Sequence, residues 1–202
     1  MVELWKQIES MFNKSDKNVQ IIYHNVVSED ELKVQLDKVL TSIMENTAGV
    51  AIDNWIRILG HSGENHLGVI SVNELCKENS FFKGLLIVAY DAVGGVFAIN
   101  LERFEEGRGN VWYFAPDTLE WEDFEMNYSE FIAWTVQGDT DEFYADMRWK
   151  DWKKDCSILE FGKAYLIYPF LWAEECIIEE AVKKVVPLEE LVNLNVENAL
   201  IM

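Results

Sequence analysis

Imidazole chemistry is limited by the small number of histidines in this sequence. The 202 residues include three, His24, His61 and His66, and the last two share a glycine-bearing segment with Glu64. A protein metal centre needs three or four converging ligands, often at short helical spacings. Here four residues separate the paired histidines, in a stretch whose Gly, Ser and Asn content is typical of a loop. We therefore expect no metal site.

Nucleophilic catalysis and phosphate binding lack a recognisable motif. The sequence has no Gly-x-Ser-x-Gly, no P-loop and no Gly-x-Gly-x-x-Gly. Cys76, Cys156 and Cys176 are widely spaced, and only Cys156 follows basic residues, so we expect structural thiols in a reducing compartment. Strand-like residues follow Gly94 and Gly95, which favours a hairpin turn over a phosphate loop. We expect no cofactor and assign no catalytic residue.

Carboxylates are the abundant reactive groups, and they concentrate in the middle of the chain. Between Arg108 and Arg148 there is no Lys, Arg or His. The acids of this interval are Asp117, Glu120, Glu122, Asp123, Glu125, Glu130, Asp139, Asp141, Glu142 and Asp146. Two carboxylates facing across a cleft would suit glycoside hydrolysis. Acids interleaved with exposed aromatic rings would instead suit a basic protein partner, and a solvated face that only aids solubility is the third interpretation. The partner-binding candidates are Asp117, Glu120, Glu122, Asp123, Glu125, Asp139, Asp141 and Glu142.

The net charge of −19 restricts the classes of partner. Such a chain repels nucleic-acid phosphates and anionic membrane surfaces. No segment reaches the ~20 apolar residues of a transmembrane helix, and the N-terminal residues do not resemble a signal peptide. We expect a cytoplasmic protein that binds neither nucleic acid nor membranes. The sequence does not indicate whether the chain forms homo-oligomers.

The elements that must position these acids follow from hydrophobic periodicity. Half of the residues are hydrophobic and 13% are aromatic, which is enough for a sizeable core. The patterns predict β segments over 18–27, 84–90, 96–100, 111–115, 119–124 and 163–170, and either two short strands or one bent strand over 49–60. They predict helices over 2–13, 28–46, 128–136, 141–155 and 173–186, a brief helix capped by Ser71, and a last helix opened by Pro187. We therefore predict an α+β fold with a mainly antiparallel central sheet of five or six strands, and with helices at one face and at both termini.

The stretch WYFAPDTLEWEDF, residues 112–124, is predicted to be a hairpin with a turn at Pro116-Asp117-Thr118. Along its second strand, alternation places Glu120 and Glu122 on one face and Leu119 and Trp121 on the other. The acids would then face away from the core.

Three strings resemble a bacterial family of uncharacterised proteins related to the SUKH superfamily, which is named for fungal cell-wall-synthesis regulators. They are GLLIVAYDAVGGVFAIN, VWYFAPDTLEWEDF and YSEFIAWTVQGDTDEFYADMRWKDW, and the resemblance covers residues 84–153. The matching positions are Asp91, Gly94, Gly95, Trp112, Phe114, Pro116, Asp117, Thr118, Glu120, Trp121, Trp149 and Trp152.

This resemblance implies an α+β fold and one SUKH-like domain over residues 1–202, with helical flanks at 1–46 and 171–202. It also implies a non-enzymatic protein-binding module, because many bacterial relatives are immunity proteins that neutralise secreted toxins, often nucleases. An acidic surface could occupy the basic groove of such a toxin domain. The alternative is a small-molecule-binding or hydrolytic domain with a pocket of tryptophans and carboxylates.

Overall fold

The computed structural model describes residues 2–23, 37–62 and 67–201. The helices within these ranges are α1 (Val2–Asn13), α2 (Lys38–Asn46), α3 (Val69–Cys76), α4 (Tyr128–Gln137), α5 (Thr140–Phe143), α6 (Trp152–Cys156) and α7 (Leu188–Ala199). The strands are β1 (Val19–Ile22), β2 (Gly49–Ile52), β3 (Ile56–Leu59), β4 (Leu85–Asp91), β5 (Val96–Asn100), β6 (Asn110–Phe114), β7 (Trp121–Asn127), β8 (Lys163–Tyr168) and β9 (Val182–Pro187). The α+β prediction is confirmed.

The main sheet is an antiparallel meander in the order β1 to β7, so its seven strands exceed the predicted five or six. Short connections join β2 to β3 and each successive pair from β4 to β7, and they favour this antiparallel arrangement. The interval 49–60 forms two strands rather than one bent strand. Asp53 and Asn54 both have φ near +51°, and such paired positive values suit a tight two-residue hairpin turn.

Both faces of the central strands are covered. Every residue of β4 and β5 is buried, as their continuous apolar runs predict. Phe97 and Tyr113 are cross-strand partners on one face, where Phe97 packs 4.9 Å from Phe131 of α4 between ring centroids. The adjacent Phe114 points to the other face, where its ring lies 4.9 Å from that of Phe81. The main core therefore lies on both sides of the sheet.

Two predicted helices are wrong in the C-terminal half. Residues 182–186 of the expected helix over 173–186 belong to β9, which pairs with β8 in a separate two-stranded sheet, so the flank 171–202 is only partly helical. The β-branched residues of VKKVVP suit this pairing, which helical periodicity alone does not reveal. The expected helix over 141–155 is divided into α5 and α6, because the intervening residues turn to bury Arg148 and Trp149.

Several helix starts also differ from expectation. Ser71 lies inside α3, and Gly68 is the N-cap residue. Pro187 occupies the N-cap of α7 rather than its first helical position, although Glu189 and Glu190 lie in the first turn as predicted.

Asp37 caps α2 by accepting from the backbone N–H groups of the second and third helical residues. The predicted start of that helix at 28–36 and strand residues 24–27 lie outside the described residues, as do His24, Glu64 and His66.

Candidate functional site

The β6–β7 connection presents the acids nearest to the predicted turn. Ala115 N–H donates to the Glu120 carbonyl at 3.0 Å, and Leu119 N–H donates to the Ala115 carbonyl at 2.9 Å. Leu119 has φ +58°, an unusual conformation for leucine, and its side chain is buried. Glu120 and Glu122 are exposed, whereas Trp121 is half-buried. The predicted division of this strand between a core face and a solvent face is confirmed.

The charges of Asp117, Glu120, Glu122 and Asp146 influence one another near this turn, and we call these four residues the acidic cluster. Burial raises the pKa of Asp117, and the negative charge of Asp146 raises it further. The pKa of Glu122 is raised first by burial and then by the charges of Asp117 and Glu120. Burial and nearby like charges both disfavour the ionised form of a carboxylate. The cluster therefore carries an electrostatic cost in the folded protein at neutral pH.

No described lysine or arginine forms an ion pair with the acidic cluster. Across residues 2–23, 37–62 and 67–201, the ion pairs are Glu74 with Lys77 and Asp141 with Arg148. Within the cluster, Glu122 accepts a hydrogen bond from the Thr118 hydroxyl at 3.3 Å. The charge of Glu122 is therefore available mainly to solvent or to a partner.

Three of the other predicted partner-binding acids, Asp123, Asp139 and Asp141, have structural contacts of their own. Asp139 caps α5 by accepting from the Glu142 N–H at 2.9 Å. Asp141 binds Arg148 at 2.5 Å and is therefore not a free charge. Asp123 accepts from the Asn110 side chain at 3.0 Å and from the following Glu125 N–H at 2.8 Å.

The structure therefore separates the predicted set. Asp117, Glu120 and Glu122 come together, whereas Asp139, Asp141 and Glu142 lie at the start of α5. Glu125 is exposed, with φ +53°, beside an irregular pairing of β6 with β7. Sequence reasoning left Asp146 out of the candidate site, because its approach to Asp117 depends on the turn between α5 and α6.

Most tryptophans of the family-like strings are packing residues. Trp149 and Trp152 are buried, and Trp121 packs against phenylalanine rings beside the hairpin. Trp112 is half-buried and stacks on Phe104, with ring centroids 3.9 Å apart. The buried Pro116 fixes the hairpin turn that the sequence predicts.

An open cleft of about 560 Å³ contains both Trp152 and carboxylates. Its acids do not converge as a free pair, because Asp141 binds Arg148 and Glu179 accepts from the Lys150 N–H at 2.9 Å. Arg148 lies 4.0 Å from the ring centre of Trp152, in a cation–π contact. This arrangement stabilises the cleft wall and gives two of its three acids a structural contact, Asp151 being the third.

Asp91 is the centre of a buried polar network at the end of β4. Its carboxylate accepts from Val93 N–H at 3.0 Å and Gly95 N–H at 2.8 Å. The hydroxyls of Tyr113 and Tyr144 donate to the other carboxylate oxygen at 2.7 and 3.3 Å. Burial raises the pKa of Asp91, although these hydrogen bonds act in the opposite direction.

The two glycines after Asp91 have steric reasons to be glycine. Gly94 has φ +90° and lies against Leu191 of α7. A side chain at Gly95 would overlap both the Asp91 carboxylate and the Tyr113 hydroxyl. The predicted hairpin turn is confirmed, and it joins β4 to β5.

Replacing Asp91 by asparagine is expected to reduce the pH dependence of stability. The raised folded-state pKa of Asp91 means that the native protein retains a proton to higher pH than the unfolded chain. Its contribution to the free energy of unfolding therefore falls as pH rises from about 4 toward neutrality. Urea unfolding of both proteins at several pH values in this window checks the prediction. Identical slopes for the wild type and Asp91→Asn would contradict it.

The described ranges contain neither a metal-binding cluster nor a membrane-spanning helix. No group of three or more His, Cys, Asp or Glu side chains there is arranged to hold a metal ion. The helices in those ranges also include none with the length and apolarity needed to cross a bilayer.

Comparison with known proteins places the chain in a bacterial context. It is 36% identical over 162 residues to the uncharacterised protein YbfG of Escherichia coli, which covers 80% of this chain and 74% of that protein. It is 32% identical over 154 residues to an uncharacterised protein of Haemophilus influenzae, covering 73% and 67% of the two chains. No solved structure matches. Residues 3–191 match a family described as "Protein of unknown function DUF2625", and the chain belongs to that family.

Proposed function

We propose that this protein is a non-enzymatic binding module whose acidic cluster contacts a basic protein partner in the cytoplasm. The observation that carries the proposal is the gathering of four carboxylates, Asp117, Glu120, Glu122 and Asp146, without a described cationic partner. Burial, and then the nearby negative charges, raise the pKa of Asp117 and Glu122, so their ionised forms cost stability in the free protein. A basic surface would remove that cost and gain the attraction of several opposite charges.

The resemblance to SUKH-type proteins supports a more specific proposal of an immunity role. A toxin that cleaves nucleic acid needs a basic groove for phosphates, and an acidic surface can compete for that groove. The net charge of −19 would also speed the encounter with such a partner through long-range attraction. In this account the protein blocks a basic domain by occupying it and catalyses no reaction.

A capture experiment tests whether such a partner exists. Basic toxin-like domains encoded beside the gene would be purified in catalytically inactive form and passed over the immobilised protein. We expect retention at about 0.05 M NaCl and much weaker retention at about 0.5 M NaCl, because salt screens charge attraction. The same protein with a neutral neighbouring gene product would serve as the control. Failure to retain any basic domain, or retention that does not change with salt, would contradict the proposal.

A further inference from the structure

A separate cavity of about 430 Å³ lies on the sheet face that carries the cross-strand partners Tyr90 and Val96. Val72 of α3 forms part of one wall. Val192 of α7 and Phe161 also line the cavity. The enclosed volume falls within the ~300–1,000 Å³ that is usual for small-molecule sites.

The lining is predominantly apolar. Among the described residues, Lys163 and Glu189 are the charged members of the lining, and they have opposite signs. The hydroxyl of the buried Tyr90 accepts from Gly162 N–H at 2.7 Å, and it donates to no described residue. One hydroxyl proton is therefore available for a polar atom of a ligand.

The apolar surface continues from the cavity to its mouth. Leu67 and Leu75 both line the cavity, and they are 46% and 65% exposed. Exposed apolar side chains at the rim of a concave site are typical of ligand-binding grooves. They would cover part of a bound molecule that is itself apolar.

We propose that this cavity binds an uncharged, mostly apolar small molecule that can accept one hydrogen bond. Within the described lining, Lys163 and Glu189 offset each other and leave no net charge for an ion, and the overall charge of −19 opposes an anion. The apolar walls provide the driving force for an uncharged ligand. The site does not depend on the acidic cluster or on a protein partner.

Nile red, an uncharged and apolar dye with carbonyl acceptors, is a suitable probe. We expect saturable binding to the wild-type protein with a blue-shifted emission. Val192→Phe, which fills the cavity, should raise the Kd by at least about tenfold, whereas Val185→Phe on exposed β9 should leave it unchanged. An anionic dye of similar size, anilinonaphthalene sulfonate, should bind at least about tenfold more weakly than Nile red.

A second pair of variants keeps the test independent of core packing. Leu75→Glu places a charge at the mouth on a side chain that is already exposed, and it should weaken Nile red binding. Ile158→Glu makes the same chemical change at an 82% exposed position outside the cavity and should not. Equal dye affinity in all variants, preference for the anionic dye, or no saturable binding by the wild type would overturn the proposal. In the last case a partner's apolar side chain would become the better occupant.

Discussion

Replacing Trp55 by alanine is expected to lower the free energy of unfolding by about 4 kcal/mol, the loss typical of removing a large buried aromatic side chain. Trp55 is fully buried, with its ring centroid 5.2 Å from that of Trp152 and 5.3 Å from that of Tyr144. The Arg148 guanidinium lies 4.9 Å from the Trp55 ring. Alanine would therefore leave a cavity and remove one aromatic contact of a largely buried cation.

Urea unfolding followed by far-UV circular dichroism measures this loss. Trp112→Ala is the matched control, because Trp112 is half-buried and stacks mainly on Phe104. The control should lose about 1–2 kcal/mol, because less surface returns to water. Equal losses in the two variants would contradict a central role for the Trp55 cluster in stability.

The strands of the main sheet were largely predictable because their signals are local. The apolar run of β4, the Gly94-Gly95 turn and the Pro116 turn each specify a structure within a few residues. The N-terminal helix was equally accessible, since its apolar spacing alone defines the buried face of α1. In these segments local preference and tertiary packing agree.

The C-terminal half was less predictable because distant contacts decide its structure. The spacing in 173–186 is compatible with a helix, but β8 supplies a partner for Val182–Pro187. The interval between α5 and α6 turns so that Arg148 can stack on Trp55, a residue far away in sequence. Strand β8 and Trp55 both lie outside the short stretches of sequence over which helical periodicity is judged.

The candidate site was likewise predictable only where local sequence determines its geometry. The interval between Arg108 and Arg148, which lacks Lys, Arg and His, drew attention to Asp117, Glu120 and Glu122. Their common position at one hairpin could be predicted because the turn is specified locally. The interval could not show that Arg148 neutralises Asp141 or that Asp146 joins the cluster. The apolar cavity was also missed, because α3, the central strands and α7 supply its walls from separate parts of the chain.

Reversing two charges of the acidic cluster is expected to weaken binding to the basic partner by at least about tenfold, since truncating or reversing a paired interfacial charge costs several kcal/mol. Glu120 and Glu122 are the most suitable positions, because both side chains are exposed and neither holds the turn through an ion pair. The Glu120→Lys/Glu122→Lys variant should fold at least as stably as the wild type. Its two lysines replace mutual repulsion with attraction to Asp117.

The most direct test of the central claim is calorimetric titration of this double variant with the basic domain retained in the capture experiment. Glu174→Lys/Glu175→Lys is the matched control, because it makes the same change in net charge at two exposed residues outside the cluster. We expect at least about a tenfold rise in Kd for the cluster variant and a rise of at most about twofold for the control. Equal Kd values for the two variants would contradict the claim that the acidic cluster is the contact surface.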